Sequence, residues 1–113
     1  MKSSIKNIAL IGCGVIGTGW AIRLLANDKK INIFEPNNSQ INFLFSELKR
    51  TKKIISKFYN INKVNLNNIS IKNSIKEAVE NADLIQENTP ENLAIKKKII
   101  REISLFTKKK SII

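Results

Sequence analysis

Three glycines near the start of the chain have the spacing of a phosphate-binding loop. Gly12, Gly14 and Gly17 form the pattern G-x-G-x-x-G, directly after an apolar run from Ile8 to Ile11. The first glycine permits a sharp turn, the second lets a diphosphate approach the backbone, and the third lets a following helix pack close to the strand. The N-terminus of that helix also offers free N–H groups and a partial positive charge to the phosphates. The loop therefore predicts dinucleotide binding.

A carboxylate follows the loop at the distance expected in a dinucleotide-binding fold. Glu35 comes about 18 residues after Gly17, at the end of a predicted second strand. An acid at this place hydrogen-bonds the adenosine ribose hydroxyls and repels a 2′-phosphate. The next residues, 36–38, include no arginine that would accommodate a 2′-phosphate. The sequence therefore favours NAD over NADP, and an acid that only ends a strand is the alternative.

A second polar cluster, residues 86–91, follows the predicted fourth strand and reads Gln-Glu-Asn-Thr-Pro-Glu. Lys96 lies further along the predicted helix. This cluster should face the same crevice as the glycine loop, because ligands bind at the carboxyl ends of parallel strands. Two interpretations stay open. Glu91 belongs to a binding site, or it only stabilises a helix N-terminus through the helix dipole.

The single cysteine, Cys13, lies inside the glycine loop. The chain has no histidine that could act as its base, so we interpret Cys13 as a small loop residue rather than a nucleophile. One cysteine cannot form an intrachain disulfide, which indicates a reducing compartment and a cytoplasmic location. No metal site is predicted.

The net charge of +11 raises the question of an anionic partner. We predict neither nucleic acid nor membrane binding, because the lysines fall on the polar faces of predicted helices without aromatic residues arranged to stack on bases. No apolar run approaches the roughly 18 to 20 residues that span a bilayer, and no signal peptide is expected. The basic second half of the second helix is interpreted as a solvated face, with an anion site for a substrate phosphate as the alternative. Its residues are Lys49, Arg50, Lys52, Lys53 and Lys57.

Strands and helices alternate along the chain, which predicts one α/β domain over residues 1–113. Right-handed crossovers then give a doubly wound, Rossmann-type parallel sheet of order 3-2-1-4-5, with the crevice at the carboxyl ends of strands one and four. The sheet would be cut off in its fifth strand. The predicted strands are 6–11, 31–35, 69–71, 84–87 and 111–113, and the predicted helices are 14–26, 39–58, 75–81 and about 90–110.

Apolar spacing and capping residues refine the helices. In the first helix, Ile16, Trp20 and Leu24 are predicted to share one apolar face, beside Ala21 and Leu25. Ser39 and Thr89 are predicted to cap the second and fourth helices, and the sequence from Ser74 to Glu77 matches a capping box. The predicted buried face of the fourth helix consists of Leu93, Ile99, Ile100, Ile103 and Phe106.

Two segments together resemble the NAD-binding half of the L-3-hydroxyacyl-CoA dehydrogenase family. One is the loop from Gly12 to Trp20, and the other runs from Ala82 through Glu87 to the lysines beginning at Lys96. Their G-V-I-G-x-G-W and I-Q-E-x-x-P-E forms are similar to the carnitine 3-dehydrogenase and gulonate 3-dehydrogenase/lambda-crystallin branches. The resemblance covers essentially the whole chain and implies oxidation of a 3-hydroxy group to a 3-oxo group with NAD.

The resemblance also implies which residues contact the cofactor. It places contacts on the loop at Val15 and Ile16, on Glu35 for the ribose, and on Glu91 and Lys96 near the nicotinamide. The region between the second and third strands is short compared with the CoA-binding members, which favours a small hydroxy acid or a carnitine-like substrate. A homodimer is implied for the complete enzyme.

The family's catalytic histidine lies beyond the fifth strand, with a paired glutamate, and no histidine occurs here. No catalytic residue is therefore assigned, and we expect these 113 residues to be the inactive, cofactor-binding part of a longer oxidoreductase. A stand-alone dinucleotide-binding module without catalysis is the alternative.

Overall fold

The computed structural model describes residues 5–59, 65–89, 92–108 and 111. Four strands alternate with four helices in this part of the chain. The strands are β1 (Asn7–Ile11), β2 (Lys30–Phe34), β3 (Ile69–Lys72) and β4 (Leu84–Glu87), and the helices are α1 (Val15–Ala26), α2 (Asn38–Tyr59), α3 (Ile75–Val79) and α4 (Leu93–Phe106), with a short 3-10 turn at Leu66–Asn68 before β3.

The four strands form one parallel sheet of order β3-β2-β1-β4, which confirms the predicted order for these strands. In the central strand, Ile8 pairs with Ile31 of β2 on one side and with Leu84 of β4 on the other. The chain order reverses beside β1, so β1 and β4 flank the crevice where ligands bind in this kind of sheet. The predicted fifth strand falls largely on Ile112 and Ile113, which lie outside the described residues.

Helices cover both faces of the sheet, which explains the unbroken apolar run in β1. Alternate side chains of a strand point to opposite faces. Ile8 and Leu10 pack in one cluster with residues of α1 and α2, and Ala9 and Ile11 pack in another with residues of α3 and α4. A strand with one solvated face would have alternated polar residues with these.

The predicted apolar face of α1 is confirmed at Ala21 and Leu25 and wrong at Ile16 and Trp20. Gly17, Thr18, Ala21 and Leu25 are buried, whereas Ile16 is 71% exposed and Trp20 is 41% exposed. The contact with the sheet is made where the helix comes closest to the backbone, and small residues permit that approach. The buried face therefore includes Ala21 and Leu25 of the predicted set but is centred nearer to Gly17 than to the larger side chains of Ile16 and Trp20.

Two predicted caps were displaced by asparagines. At α2, the Asn37 side-chain oxygen accepts hydrogen bonds from the Ser39 backbone N–H (2.9 Å) and hydroxyl (2.7 Å). At α4, Asn92 is the N-cap and accepts from the N–H groups of Ala94 and Ile95. Thr89 lies three residues before this cap, and its hydroxyl donates to Glu87 instead. The helix therefore starts later than predicted.

The buried face of α4 is also narrower than predicted. Ile103 is fully buried and Ile99 is partly buried, while the other three predicted positions are exposed. In the described part of the chain α4 packs mainly against α3, which is only five residues long and covers one edge of the longer helix. One of the two hydrogen bonds of the predicted capping box at α3 is present, because Ser74 Oγ accepts from Glu77 N at 3.1 Å.

The amino ends of β1 and β4 are joined by one carboxylate. Asp83 Oδ2 accepts from the backbone N–H groups of Lys6 and Asn7, each at 3.0 Å, and Oδ1 accepts from Lys108 Nζ at 2.5 Å. The Lys108 hydrogen bond, followed by the two backbone donors, holds the pKa of Asp83 well below its usual range. This contact connects both strands to the segment that follows α4.

Candidate cofactor-binding site

A cleft of about 410 Å³ opens at the carboxyl ends of β1, β2 and β4, where the fold predicts it. One wall consists of the glycine loop and the other of the segments that follow β2 and β4. Its lining residues are Ile11, Gly12, Gly14, Phe34, Glu35, Pro36, Asn37, Gln40, Asn88, Thr89, Ile95 and Ile99.

Backbone hydrogen bonds hold the three strand ends together. Gly12 N donates to Phe34 O at 2.9 Å, and Asn88 N donates to Ile11 O at 2.8 Å. These bonds extend the two ladders of β1 by one step, at the point where the chain leaves the sheet. The cleft is therefore built on the rigid end of the sheet.

Two of the glycines are required by backbone geometry. Gly12 has φ of +96°, a conformation that side chains disfavour, and a Cβ there would lie 3.1 Å from Asn88 O. A Cβ on Gly17 would lie only 2.4 Å from Gly12 O. These contacts match the turn and the close helix packing for which the sequence predicted glycine.

Gly14 differs because space is open beside it. The nearest atom to a Cβ at Gly14 would be Gln40 Oε1, at 3.6 Å, across the cleft. Gly14 also precedes α1, whose N-terminus has neither a side-chain cap nor an acid in its first turn. The first N–H groups of the helix are thus available for an anion, as the fold requires of a diphosphate site. Val15 and Ile16 occupy this turn and are 77% and 71% exposed.

The Glu35 carboxylate is fixed between the glycine loop and its own turn. Its Oε1 accepts from Cys13 N at 2.9 Å, and its Oε2 accepts from Asn37 N at 3.1 Å. Each carboxylate oxygen has a second lone pair, so the group can accept further hydrogen bonds from a ligand hydroxyl. The structure thus brings the predicted ribose acid and the predicted diphosphate loop to one cleft.

Cys13 is fully buried in the core beside α1, as expected of a small structural residue. Burial, followed by the nearby Glu35 carboxylate, raises the pKa of its thiol to about 12. Its carbonyl accepts from the buried Thr18 hydroxyl at 2.8 Å, which ties the loop to α1. A thiol that stays protonated at neutral pH is a poor nucleophile.

The second polar cluster is organised by Glu87. Its Oε1 accepts from the Thr89 backbone N–H at 2.6 Å and from the Thr89 hydroxyl, and its Oε2 forms an ion pair of 3.0 Å with Lys96. Lys96 is therefore held at the end of β4 but does not line the cleft. Glu91, the other residue predicted near the nicotinamide, lies outside the described residues.

Three residues of this region received no role from the sequence alone. Glu87 and Asn88 belong to the polar cluster of residues 86–91, and their place at the end of the predicted fourth strand was the signal that could have identified them. Gln40 had no signal, because its position at the cleft depends on how α2 crosses the sheet. Asn88 Nδ2 lies 3.4 Å from Gly12 O and closes the back of the glycine turn.

The charge of the whole chain is not concentrated in the cleft. No lysine or arginine is among the described lining residues, and Glu35 is the charged group there. Across the described ranges, no cluster of histidine, cysteine or acidic side chains is arranged to hold a metal ion. No helix in the described part of the chain is long and apolar enough to cross a membrane.

A parallel sheet with this strand order, a G-x-G-x-x-G turn into a helix, and a carboxylate after the second strand together define a Rossmann-type dinucleotide-binding domain. Residues 7–113 match the family model described as 3-hydroxyacyl-CoA dehydrogenase, NAD binding domain. The chain belongs to this family, and its cofactor is NAD.

Known proteins share the whole of this domain. The chain is 32% identical over 108 residues to a 3-hydroxyacyl-CoA dehydrogenase of Gibberella moniliformis, covering 96% of this chain and 33% of that protein. It is 31% identical to an L-carnitine dehydrogenase of Bacillus cereus, covering 99% of this chain and 34% of that protein.

A solved structure shows the same arrangement. It is an NAD+-dependent dismutase, 5-formyl-3-hydroxy-2-methylpyridine 4-carboxylic acid 5-dehydrogenase, which matches with a TM-score of 0.80 and 29% identity over 96% of this chain and 35% of that one. The chain thus spans about a third of the length of each of these three proteins.

Proposed function

We propose that this domain is the NAD-binding portion of an oxidoreductase that oxidises a 3-hydroxy group to a 3-oxo group. The observation that carries the proposal is the placement of Glu35 in one cleft with the glycine loop, in a domain of the 3-hydroxyacyl-CoA dehydrogenase family. The names of the relatives, 3-hydroxyacyl-CoA dehydrogenase and L-carnitine dehydrogenase, indicate the reaction class.

We assign roles to the cofactor-binding residues as follows. The turn at Gly12, Gly14 and Gly17 and the N-terminus of α1 hold the diphosphate, and Glu35 accepts hydrogen bonds from the adenosine ribose hydroxyls. Val15 and Ile16 line the path of the cofactor out of the turn. We assign contacts near the nicotinamide to Glu91 and Lys96. When bound, NAD accepts the hydride from the substrate carbon.

The substrate and the remaining machinery are proposed from the relatives. We favour a carnitine-type or gulonate-type substrate over a CoA thioester, because the connection between β2 and β3 is short. The parent enzyme would act in the cytoplasm as a homodimer, in carnitine or fatty acid metabolism. We propose residues 1–113 as one NAD-binding domain, with substrate and dimer contacts made by other parts of a longer protein.

Cofactor choice tests the role of Glu35. We expect the chain to bind NADH at least tenfold more tightly than NADPH, because a carboxylate repels a 2′-phosphate. Glu35→Ala should weaken NADH binding about tenfold and reduce the discrimination. Fluorescence titration of NADH measures both affinities.

The variant Glu35→Gln separates the effect of the charge from that of the local structure, since its amide oxygen can still accept from Cys13 N. Glu80→Ala on the exposed end of α3 is the control. Equal affinity for NADH and NADPH would refute the assigned role.

Turnover tests the limits of this domain. Oxidation of a hydroxyl requires a base that takes its proton as the hydride leaves, and the chain has no histidine for this role. We expect no NAD reduction by the 113 residues with carnitine, gulonate or 3-hydroxybutyryl-CoA, followed at 340 nm. Sustained NADH formation would contradict the assignment of the base to another part of the parent enzyme.

A further inference from the structure

One polar side chain on the wall of the cleft makes no hydrogen bond. Among the polar lining residues in the described part of the chain, Glu35, Asn37, Asn88 and Thr89 each have a partner for their side chain. Gln40 has none, although it is half-buried. A half-buried amide without a protein partner is suited to forming a hydrogen bond with a bound ligand.

The position of Gln40 indicates which part of a ligand it would meet. It lies in the first turn of α2, and its Oε1 is 3.6 Å from the point where a Cβ on Gly14 would lie. That point is on the side of the glycine loop that a diphosphate approaches. Rotation about the last side-chain bond exchanges the amide oxygen and nitrogen, so Gln40 can present an N–H group there.

The charges in the cleft make a neutral donor important. The described lining residues include the Glu35 carboxylate and no lysine or arginine, so none of them offers a positive charge to the two charges of a diphosphate. We propose that Gln40 is a ligand of the NAD diphosphate and donates its Nε2–H to a phosphate oxygen beside Gly14. This inference deepens the proposed function and rests on it. The α1 N-terminus and Gln40 would then hold the diphosphate from opposite sides.

Two substitutions test the donor. Gln40→Leu keeps most of the side-chain volume and removes the amide, and we expect about a tenfold weaker affinity for NADH. Gln40→Glu has nearly the same shape but places a second carboxylate beside the phosphates, so its loss should exceed that of Gln40→Leu. Titration of NADH fluorescence with the 113-residue chain gives the dissociation constants. ADP-ribose, which has the diphosphate but no nicotinamide, should lose affinity by the same factors.

Asn42→Asp is the matched control, because it makes the same charge change on the exposed side of α2. We expect it to bind NADH as the unsubstituted chain does, and circular dichroism shows that each variant is folded. A Gln40→Glu variant that binds like the unsubstituted chain would overturn the inference, since a carboxylate can accept from a ribose hydroxyl but cannot donate to a phosphate. Undiminished binding by Gln40→Leu would overturn it too. If the unsubstituted chain bound no NADH, the proposed function would itself fail.

Discussion

Gly17 and Gly19 are two residues apart in α1, yet a methyl group meets very different surroundings at each. A Cβ at Gly17 would lie 2.4 Å from Gly12 O, whereas a Cβ at Gly19 has no neighbour within 4 Å. We predict that Gly17→Ala lowers the free energy of unfolding by about 1–3 kcal/mol and weakens NADH binding, because the loop must shift. Urea unfolding and NADH titration measure these effects.

Gly19→Ala is the internal control for this prediction. It should raise stability by about 0.5–1 kcal/mol through helix propensity and leave NADH binding unchanged. Comparable destabilisation by both substitutions would show that the close contact at Gly17 is not the cause.

Cys13 gives a prediction about alkaline pH. The folded protein raises the thiol pKa from 9.0 to about 12, so the folded state favours the neutral thiol. Its contribution to stability is fully present below pH 9 and is lost as pH rises toward 12. Between pH 8 and 10.5 we expect this thiol to account for a loss of about 1–2 kcal/mol in unfolding free energy.

Urea unfolding at the two pH values measures that loss. Cys13→Ala serves as the reference, because it retains every other group that titrates in this range. If the unsubstituted chain and Cys13→Ala lost the same stability, the thiol would not be the group responsible.

The residues of the glycine turn were predictable from the sequence, whereas the place of Gln40 on the cleft wall was not. Gly12 and Gly17 are recognised locally, because their roles depend on a strand before them and a helix after them. Glu35 is recognised by its distance from the loop. Gln40 reaches the cleft, and Glu87 meets Lys96, only because the chain folds. Spacing in the sequence contains no signal for such contacts.

Among the structural elements, the start of β4 depends on Asp83. Its carboxylate joins β1, β4 and Lys108, and the side chain is 21% exposed. We predict that Asp83→Asn lowers the free energy of unfolding at pH 7 by about 1 kcal/mol, because one carboxylate oxygen and its charge are lost.

The pH dependence distinguishes this effect from a simple packing defect. The folded pKa of Asp83 is lowered from 3.8, so its contribution is present above pH 4 and is lost as pH falls further. The stability of the unsubstituted chain should therefore fall more steeply in acid than that of Asp83→Asn, as measured by thermal unfolding between pH 7 and 2.5. Glu80→Gln, at the exposed position directly after α3, should retain the steep fall. Parallel curves for all three chains would refute the prediction.

The residues at which the helices start were predicted better than the side chains that each helix buries. The starts of α1 and α3 lie within one residue of expectation, because a glycine turn and a capping serine define them locally. On α1, Ala21 and Leu25 are buried as expected, but close packing buries Gly17 and Thr18 in place of the larger Ile16 and Trp20. The predicted start of α4 was wrong because Asn92, three residues after Thr89, caps the helix.

At the scale of the whole molecule, alternation of strands and helices determined the topology. Parallel pairing and right-handed crossovers allow few arrangements, so the order of the four described strands was predictable without any side-chain detail. The net charge of +11 was a poor guide to the cleft, whose described lining has no basic residue. Charge summed over a chain describes its surface, whereas the cleft depends on which few residues meet at the ends of three strands.

The cleft joins β1, β2, β4, α2 and α4, so a ligand bound there should stabilise the domain as one unit. A ligand at about 100 times its dissociation constant adds about 2.7 kcal/mol to the unfolding free energy. For a domain of this size we therefore expect NADH to raise the unfolding temperature by on the order of 10 °C. NADPH at the same concentration should give a much smaller rise, because Glu35 opposes its 2′-phosphate. Differential scanning fluorimetry measures both, and equal shifts would indicate that binding energy comes from the diphosphate alone, without selection by the carboxylate at the end of β2.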